Sequence, residues 1–192
     1  MHSTTQGRPG GVRRALVVVH EGPVGPVAQV AAAVAAGLRA AGLDVVVARP
    51  ETTVDWTEVD LMVVGCPATA LASRRALDTG LQHWLATVPE GTASGPTLAT
   101  YETRLSRRGL RRGAATRTAL GLCARGWRVA SAPARFLLAA DGTVGTAEVA
   151  RATRWGHDLA GRDERYGPLH DGAAELRRRD LAPAAELAGS LP

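Results

Sequence analysis

The chain has 192 residues, 45% of them apolar, and a formal net charge of +5 in which every basic side chain is arginine. That length suits one domain with short extensions. No apolar run approaches the roughly 18–20 residues of a membrane-spanning helix, and the polar start MHSTTQGRPGGVRR lacks the apolar stretch of a secretion signal. Cys66 and Cys123 fit no CxxC pattern and read as reduced thiols, so the expectation is a cytoplasmic protein with no membrane segment.

Residues 1–13 are polar and rich in Gly and Pro, the composition of a disordered arm. Strand and helix patterns then alternate. Residues 15–20 predict a first strand, and residues 26–41 a helix with Pro26 in its first turn and Gly42 just past its end. Residues 43–48 (LDVVVA) and 59–64 (VDLMVV) predict the next two strands. Ser73 is placed to cap a helix over residues 74–87, with Leu77, Leu81, Trp84, Leu85 and Val88 at helical spacing.

Residues 96–100 predict a short fourth strand, residues 113–125 a helix ended by Gly126, and residues 127–130 a fifth strand that resumes near residues 136–139. A last helix spans residues 146–159. Residues 163–192 are charged, Ala-rich and interrupted by Pro, and predict a largely flexible tail. Near-continuous apolar strands separated by helices describe a parallel sheet covered on both faces. The expected fold is therefore a three-layer, doubly wound α/β domain over residues 14–162, with five strands in the order 2-1-3-4-5. Its ligand crevice would lie beyond the first and third strands, lined by residues 22–27, 65–70 and 100–106.

The first of those loops carries the sharpest signal. An apolar strand runs through Gly22, Pro23, Val24, Gly25, Pro26 and Val27 directly into an alanine-rich helix. Such junctions bind phosphate groups on loop amides and the positive helix end. Yet the six positions hold no Ser, Thr, Lys or Arg, and Pro23 and Pro26 have no N–H to donate.

Charge is uneven along the chain. Between Glu102 and Asp141 there is no acidic residue, while nine arginines fall there, at 104, 107, 108, 111, 112, 117, 125, 128 and 135. An acid-free basic stretch attracts acidic partners. A solvated helix face accounts for the same residues. Only Trp127 and Phe136 are aromatic in the stretch, too few for base stacking, which disfavours nucleic acid.

Taken in order, these segments resemble the flavodoxin-like family across residues 14–161. ALVVVHEGPVGPVAQVAAAVAAGL is similar to the family's first strand, phosphate loop and helix, of the form VVYESMxGNTxxVAxAVAxGL. LMVVGCPATA is similar to LLVVGGPTHA, ASRRALDTGLQHWL to MSRPxTRxxLREWL, and ATYETRLS to AAFDTRLS. GAATRTALGLCARGWRV and RATRWGHDLAG are similar to the family's GSAAxxIAxxLRRxGFRV and RARAWGRALA segments.

The resemblance implies an FMN-binding electron-transfer protein with a redox partner. It places the phosphate at Gly22, Pro23, Val24, Gly25, Pro26 and Val27, where the family's Ser, Asn and Thr are replaced by Gly22, Pro26 and Val27. Pro67, Ala68 and Thr69 would line the isoalloxazine. Tyr101, in place of a Phe, would pack near the ring or serve as an ordinary strand-end aromatic, with Glu102, Thr103 and Arg104 beside it. Arg104 would neutralise a flavin anion or phosphate, or stand exposed. The alternative is a non-enzymatic relative without FMN that uses the fold for regulation or for binding an acidic protein partner, through the arginine-rich segment 104–117.

Other chemistry is weaker. His20, Glu21 and Cys66 fall at adjacent strand ends, the elements of a thiol nucleophile, but successive strand residues point to opposite faces. GPVG lacks the G-x-G-x-x-G pattern, and no GxxxxGK[ST] occurs. His83, His157 and His170 have no partner at metal-ligand spacing. Trp84, Trp127 and Trp155 sit at core-type positions, and Trp56 is either exposed or packed on the third strand.

Overall fold

A computed structural model describes residues 12–19, 25–66, 79–92, 95–105 and 113–161, with residues 79–82 followed by their backbone alone. The elements are β1 (Arg14–Val19), α1 (Pro26–Ala40), β2 (Asp44–Ala48), a 3₁₀ turn (Trp56–Glu58), β3 (Leu61–Cys66), α2 (Thr79–Thr87), β4 (Thr97–Arg104), α3 (Ala114–Ala124), β5 (Arg128–Val129), β6 (Ala134–Leu137) and α4 (Thr146–Ala160). The sheet is parallel with order β2-β1-β3-β4-β5, and β6 also pairs with β4. The expected order 2-1-3-4-5 is thus the observed one.

Burial follows from position in the sheet. Every residue of central β3 is buried, whereas edge strand β2 leaves Val46 and Val47 exposed. The unpaired edge is blunted at one point, where the Arg39 guanidinium donates to the Val45 carbonyl at 2.8 Å. Two apolar layers flank the sheet. One joins Val17, Val63, Ala99 and Tyr101 to α1 and α4. The other joins Val18, Met62, Val64 and Leu98 to Trp84, Leu122 and Trp127. Trp56 is packed, its ring centroid 6.4 Å from that of Trp84 and 6.0 Å from that of Trp127.

Two expected boundaries shift. The fourth strand does not stop at Thr100 but continues to Arg104, because it gains a partner: Tyr101 to Arg104 pair with Ala134 to Leu137. The fifth strand is interrupted as expected, but it resumes at Ala134 and not at residue 136, and its parts β5 and β6 pair with opposite halves of β4. Pro133, with no N–H for a ladder, stands in the break. His20, Glu21 and the expected cap Ser73 lie outside the described residues, as do residues 1–11 and 162–192.

Helices α1 and α4 approach so closely that each presents a glycine to the other's backbone. A Cβ on Gly37 would strike the Thr153 carbonyl, and one on Gly156 the Val34 carbonyl. Gly121 in α3 faces open space. The two helices therefore answer oppositely to the same substitution. Gly121→Ala should stabilise by about 0.5–1 kcal/mol through helix propensity. Gly156→Ala should cost about 1–3 kcal/mol from overpacking. Urea unfolding of the two variants beside the parent chain checks both signs.

Candidate functional site

In a doubly wound sheet the ligand crevice lies at the carboxyl ends of the strands where the winding reverses. Here β1 has β2 on one side and β3 on the other, so the reversal falls between β1 and β3. Val19, the last residue of β1, is level with Gly65, and Gly65 with Tyr101. Helix α1 starts beside these strand ends.

The helix entry is built from main chain alone. Gly25 is extended at the N-cap, with no side-chain cap, and Pro26 opens the first turn. The Gln29 amide bonds to the Gly25 carbonyl at 2.9 Å. Helix geometry then leaves the amides of Val27 and Ala28 directed out of the helix end, where they favour an anion. The Val27 side chain is 0% exposed and belongs to the core, so this position offers only its backbone. Gly22, Pro23 and Val24 lie outside the described residues.

Side chains of β4 alternate between the two layers. Tyr101 points toward α1, fully buried, and its hydroxyl donates to the Val27 carbonyl at 2.9 Å. Its ring makes edge contacts with Phe136 at 5.8 Å and Trp155 at 6.3 Å. Of the two roles open to Tyr101, this placement is the core one: the phenol presents no face to a ring outside the sheet. Thr103 is buried as well.

Glu102 points the other way, toward α3, and is 2% exposed. One carboxylate oxygen, Oε2, accepts from the Ala115 amide at 3.2 Å, in the first turn of α3. The other, Oε1, faces Arg104 Nε at 2.5 Å and Arg135 Nε at 3.4 Å, through charge more than through a directed hydrogen bond. Burial of a carboxylate is tolerated because a helix N-terminus and two guanidinium groups surround it. Arg104 does not stand exposed: it is mostly buried against Glu102. Gly113 stands so close to this carboxylate that a Cβ there would overlap it.

The structure thus brings Gly25, Pro26, Val27, Tyr101, Glu102, Thr103 and Arg104 to the carboxyl side of the sheet. Pro67, Ala68 and Thr69, the expected ring-side residues, are outside the described residues. Two participants are new. Arg135 reads in the sequence as one arginine in a run of nine, and only the β4–β6 pairing puts it opposite Glu102. Gly113 reads as a helix start, with nothing local to reveal the carboxylate behind it.

Cys66 faces α3, its Sγ 3.6 Å from Thr118 Oγ1. Burial pushes its thiol up to about 12, the Thr118 hydroxyl pulling the other way and the Glu102 charge adding to the rise. A thiol so held stays protonated and is no nucleophile. Among the described residues no group of His, Cys, Asp and Glu is arranged to hold a metal, and no helix is long and apolar enough to cross a membrane.

No protein-family model matches the chain, and no curated protein does. Solved structures do match, and they define a class: the fold is flavodoxin-like. Flavodoxin 1 from Bacillus cereus superposes with a TM-score of 0.59 at 12% identity, over 78% of this chain and 97% of that one. A flavodoxin from the domain Archaea gives 0.57 at 19% identity, over 79% and 99%. The Flv1 flavodiiron core from Synechocystis sp. PCC6803 gives 0.55 at 15% identity, over 81% of this chain and only 37% of that larger one.

Two expectations follow from the geometry. Glu102→Gln leaves the Ala115 bond possible but strips the charge that Arg104 and Arg135 share. Discounted for the exposure of Arg135, that change should cost about 1–3 kcal/mol of folding stability, read by urea titration. For Cys66 the native chain keeps a proton that the unfolded chain, ionising near 9.0, gives up. Stability should therefore fall as pH rises from about 9 toward 12, and Cys66→Ala should flatten that fall. The native thiol should also resist alkylation at pH 8 until the protein is unfolded.

Proposed function

We propose that this chain is an FMN-binding redox protein of the flavodoxin lineage whose phosphate clamp is reduced to main-chain donors. The observation that carries the reading is the first turn of α1. It sits at the switch point of a flavodoxin-like sheet, with its amino end offered to the crevice, but with proline at its first position and a core-buried valine at its second. These residues suit a phosphate in kind: the amides of Gly25, Val27 and Ala28 and the helix dipole all favour a dianion.

The number of donors is what falls short. Relative to the family pattern, the loop lacks hydroxyls at positions 22 and 27 and a further polar side chain at 26, where proline also removes an amide. Each hydrogen bond to a charged group contributes about 1.5–3 kcal/mol. The deficit amounts to several kcal/mol, or about two to four decades in affinity. When bound, FMN would supply the one- and two-electron chemistry, and the protein would supply placement and electrostatics. The buried Glu102 offsets one of the two positive charges of Arg104 and Arg135, so the group leaves a single positive charge beside the ring. A separate protein would take or give the electrons.

A second reading has its own observation. Tyr101, Glu102 and Thr103, three of the residues assigned to the ring side, are at most 2% exposed. They contribute support from beneath and no contact surface. That favours a relative in which the fold serves an acidic protein partner and FMN is lost.

Visible absorption of the purified protein and a titration with FMN separate the two. The redox reading expects a flavin band, or weak saturable binding in the micromolar range or above. No band and no binding at high micromolar FMN would sink it. The loop variant Gly22→Ser, Pro26→Asn should bind FMN at least tenfold more tightly, with Val27 left in place because its side chain belongs to the core. Equal affinity would mean the phosphate lies elsewhere.

A further inference from the structure

We infer that Tyr101 is the positioning residue of the phosphate end: its hydroxyl, donated to the Val27 carbonyl, holds the first turn of α1 in the place where its amides meet an anion. This rests on the FMN reading above for its functional half, and on the Tyr101–Val27 bond for its structural half.

Several observations converge. A fully buried phenol must find an acceptor or lose the free energy of an unmade hydrogen bond. Among the acceptors on the α1 side, the hydroxyl takes one in the helix's first turn, across 74 residues of sequence. The Val27 carbonyl already accepts within the helix by normal α geometry, and its second lone pair takes the phenol. The bond is therefore additional to the helix and not a requirement of its folding.

Its direction is fixed from the other end as well. Phe136 and Trp155 meet the Tyr101 ring edge-on, and Gly65 provides the space that the phenol fills. A side chain at 65 would expel the ring. The tether thus runs from the central sheet, through a ring that cannot turn aside, to the helix end. Resistance of that end to displacement matters here because Gly25 carries no side-chain cap and Pro26 no amide. In the family pattern the matching residue is Phe, so the hydroxyl is a feature of this chain. It preorganises the few donors left, which lowers the cost of ordering them on a ligand.

The test is Tyr101→Phe, which keeps the ring and its packing. Affinities for FMN and for riboflavin, which lacks the phosphate, are measured by fluorescence quenching. Backbone hydrogen exchange over residues 27–31 is followed in the ligand-free protein. The proposal expects FMN to bind about two- to tenfold more weakly, riboflavin to be unchanged, and exchange in the first turn of α1 to quicken. Equal losses for both flavins would overturn it, since Tyr101 would then be supporting the fold in general. Unchanged FMN affinity would overturn it too. If the parent protein binds no FMN, the cofactor reading and the role toward phosphate fall together. Exchange then decides the tether alone, with an unchanged rate overturning it.

Discussion

Two neighbouring residues on one strand tie two helix ends to the carboxyl side of this sheet. Tyr101 and Glu102 are consecutive, so pleating sends them to opposite faces. Each reaches the first turn of a different helix: Tyr101 the Val27 carbonyl of α1, and Glu102 the Ala115 amide of α3. Each is also guarded by a glycine on the neighbouring element, Gly65 for the phenol and Gly113 for the carboxylate. The strand can carry this load because it is paired along its length, with β3 on one side and β5 then β6 on the other. Were β4 to end at Thr100, neither residue would be held in register.

The opposite edge of the sheet is tied differently. There Arg14 bonds Asp44 at 2.9 Å and also reaches Glu58, while its own amide donates to Asp60 at 2.7 Å. Those groups are partly exposed, and ion pairs in such settings contribute little each. The amino edge is thus held by several weak, solvated contacts. The carboxyl edge is held by two buried ones, whose loss leaves an unsatisfied group in the interior. That asymmetry is what the proposed FMN reading asks of the two ends, since on that reading only the carboxyl edge holds helix ends in fixed relation to a ligand.

Fold and site were legible in the sequence to different degrees, for physical reasons. Runs such as LVVV and LMVV announce buried parallel strands, and Gly42 and Gly126 announce helix ends, because those signals are local. Gly42 and Gly126 indeed adopt φ of 88° and 87°. The division of the fifth strand was half visible, through the gap before residue 136. Its consequence was not: β6 extends β4 and delivers Arg135 to Glu102 through a contact between residues 33 apart in sequence. In the same way Tyr101 reads as a strand-end aromatic until α1 is placed over it. The pairing of Arg104 with Glu102 was closer to hand, two residues along a strand and so on the same face. Only the burial of Glu102 decides that the guanidinium serves the protein itself.

These contacts also bear on the proposed phosphate loop and its missing hydroxyls. A helix end can be positioned by its ligand, by its own caps, or by the body of the protein. In this chain the caps are missing at Gly25, and the side chains suited to hold the ligand are missing at Pro26 and Val27. The third means is present, in the Tyr101 hydroxyl and in the burial of Val27 itself. A first turn placed from beneath does not depend on an anion for its shape, so the loop above it could lose hydroxyls without the fold losing its entry to α1. On the proposed FMN reading, the same internal support would let binding weaken and still keep the remaining amides aimed at the phosphate. On that reading, the missing hydroxyls of the loop and the fixed first turn of α1 are consequences of one arrangement.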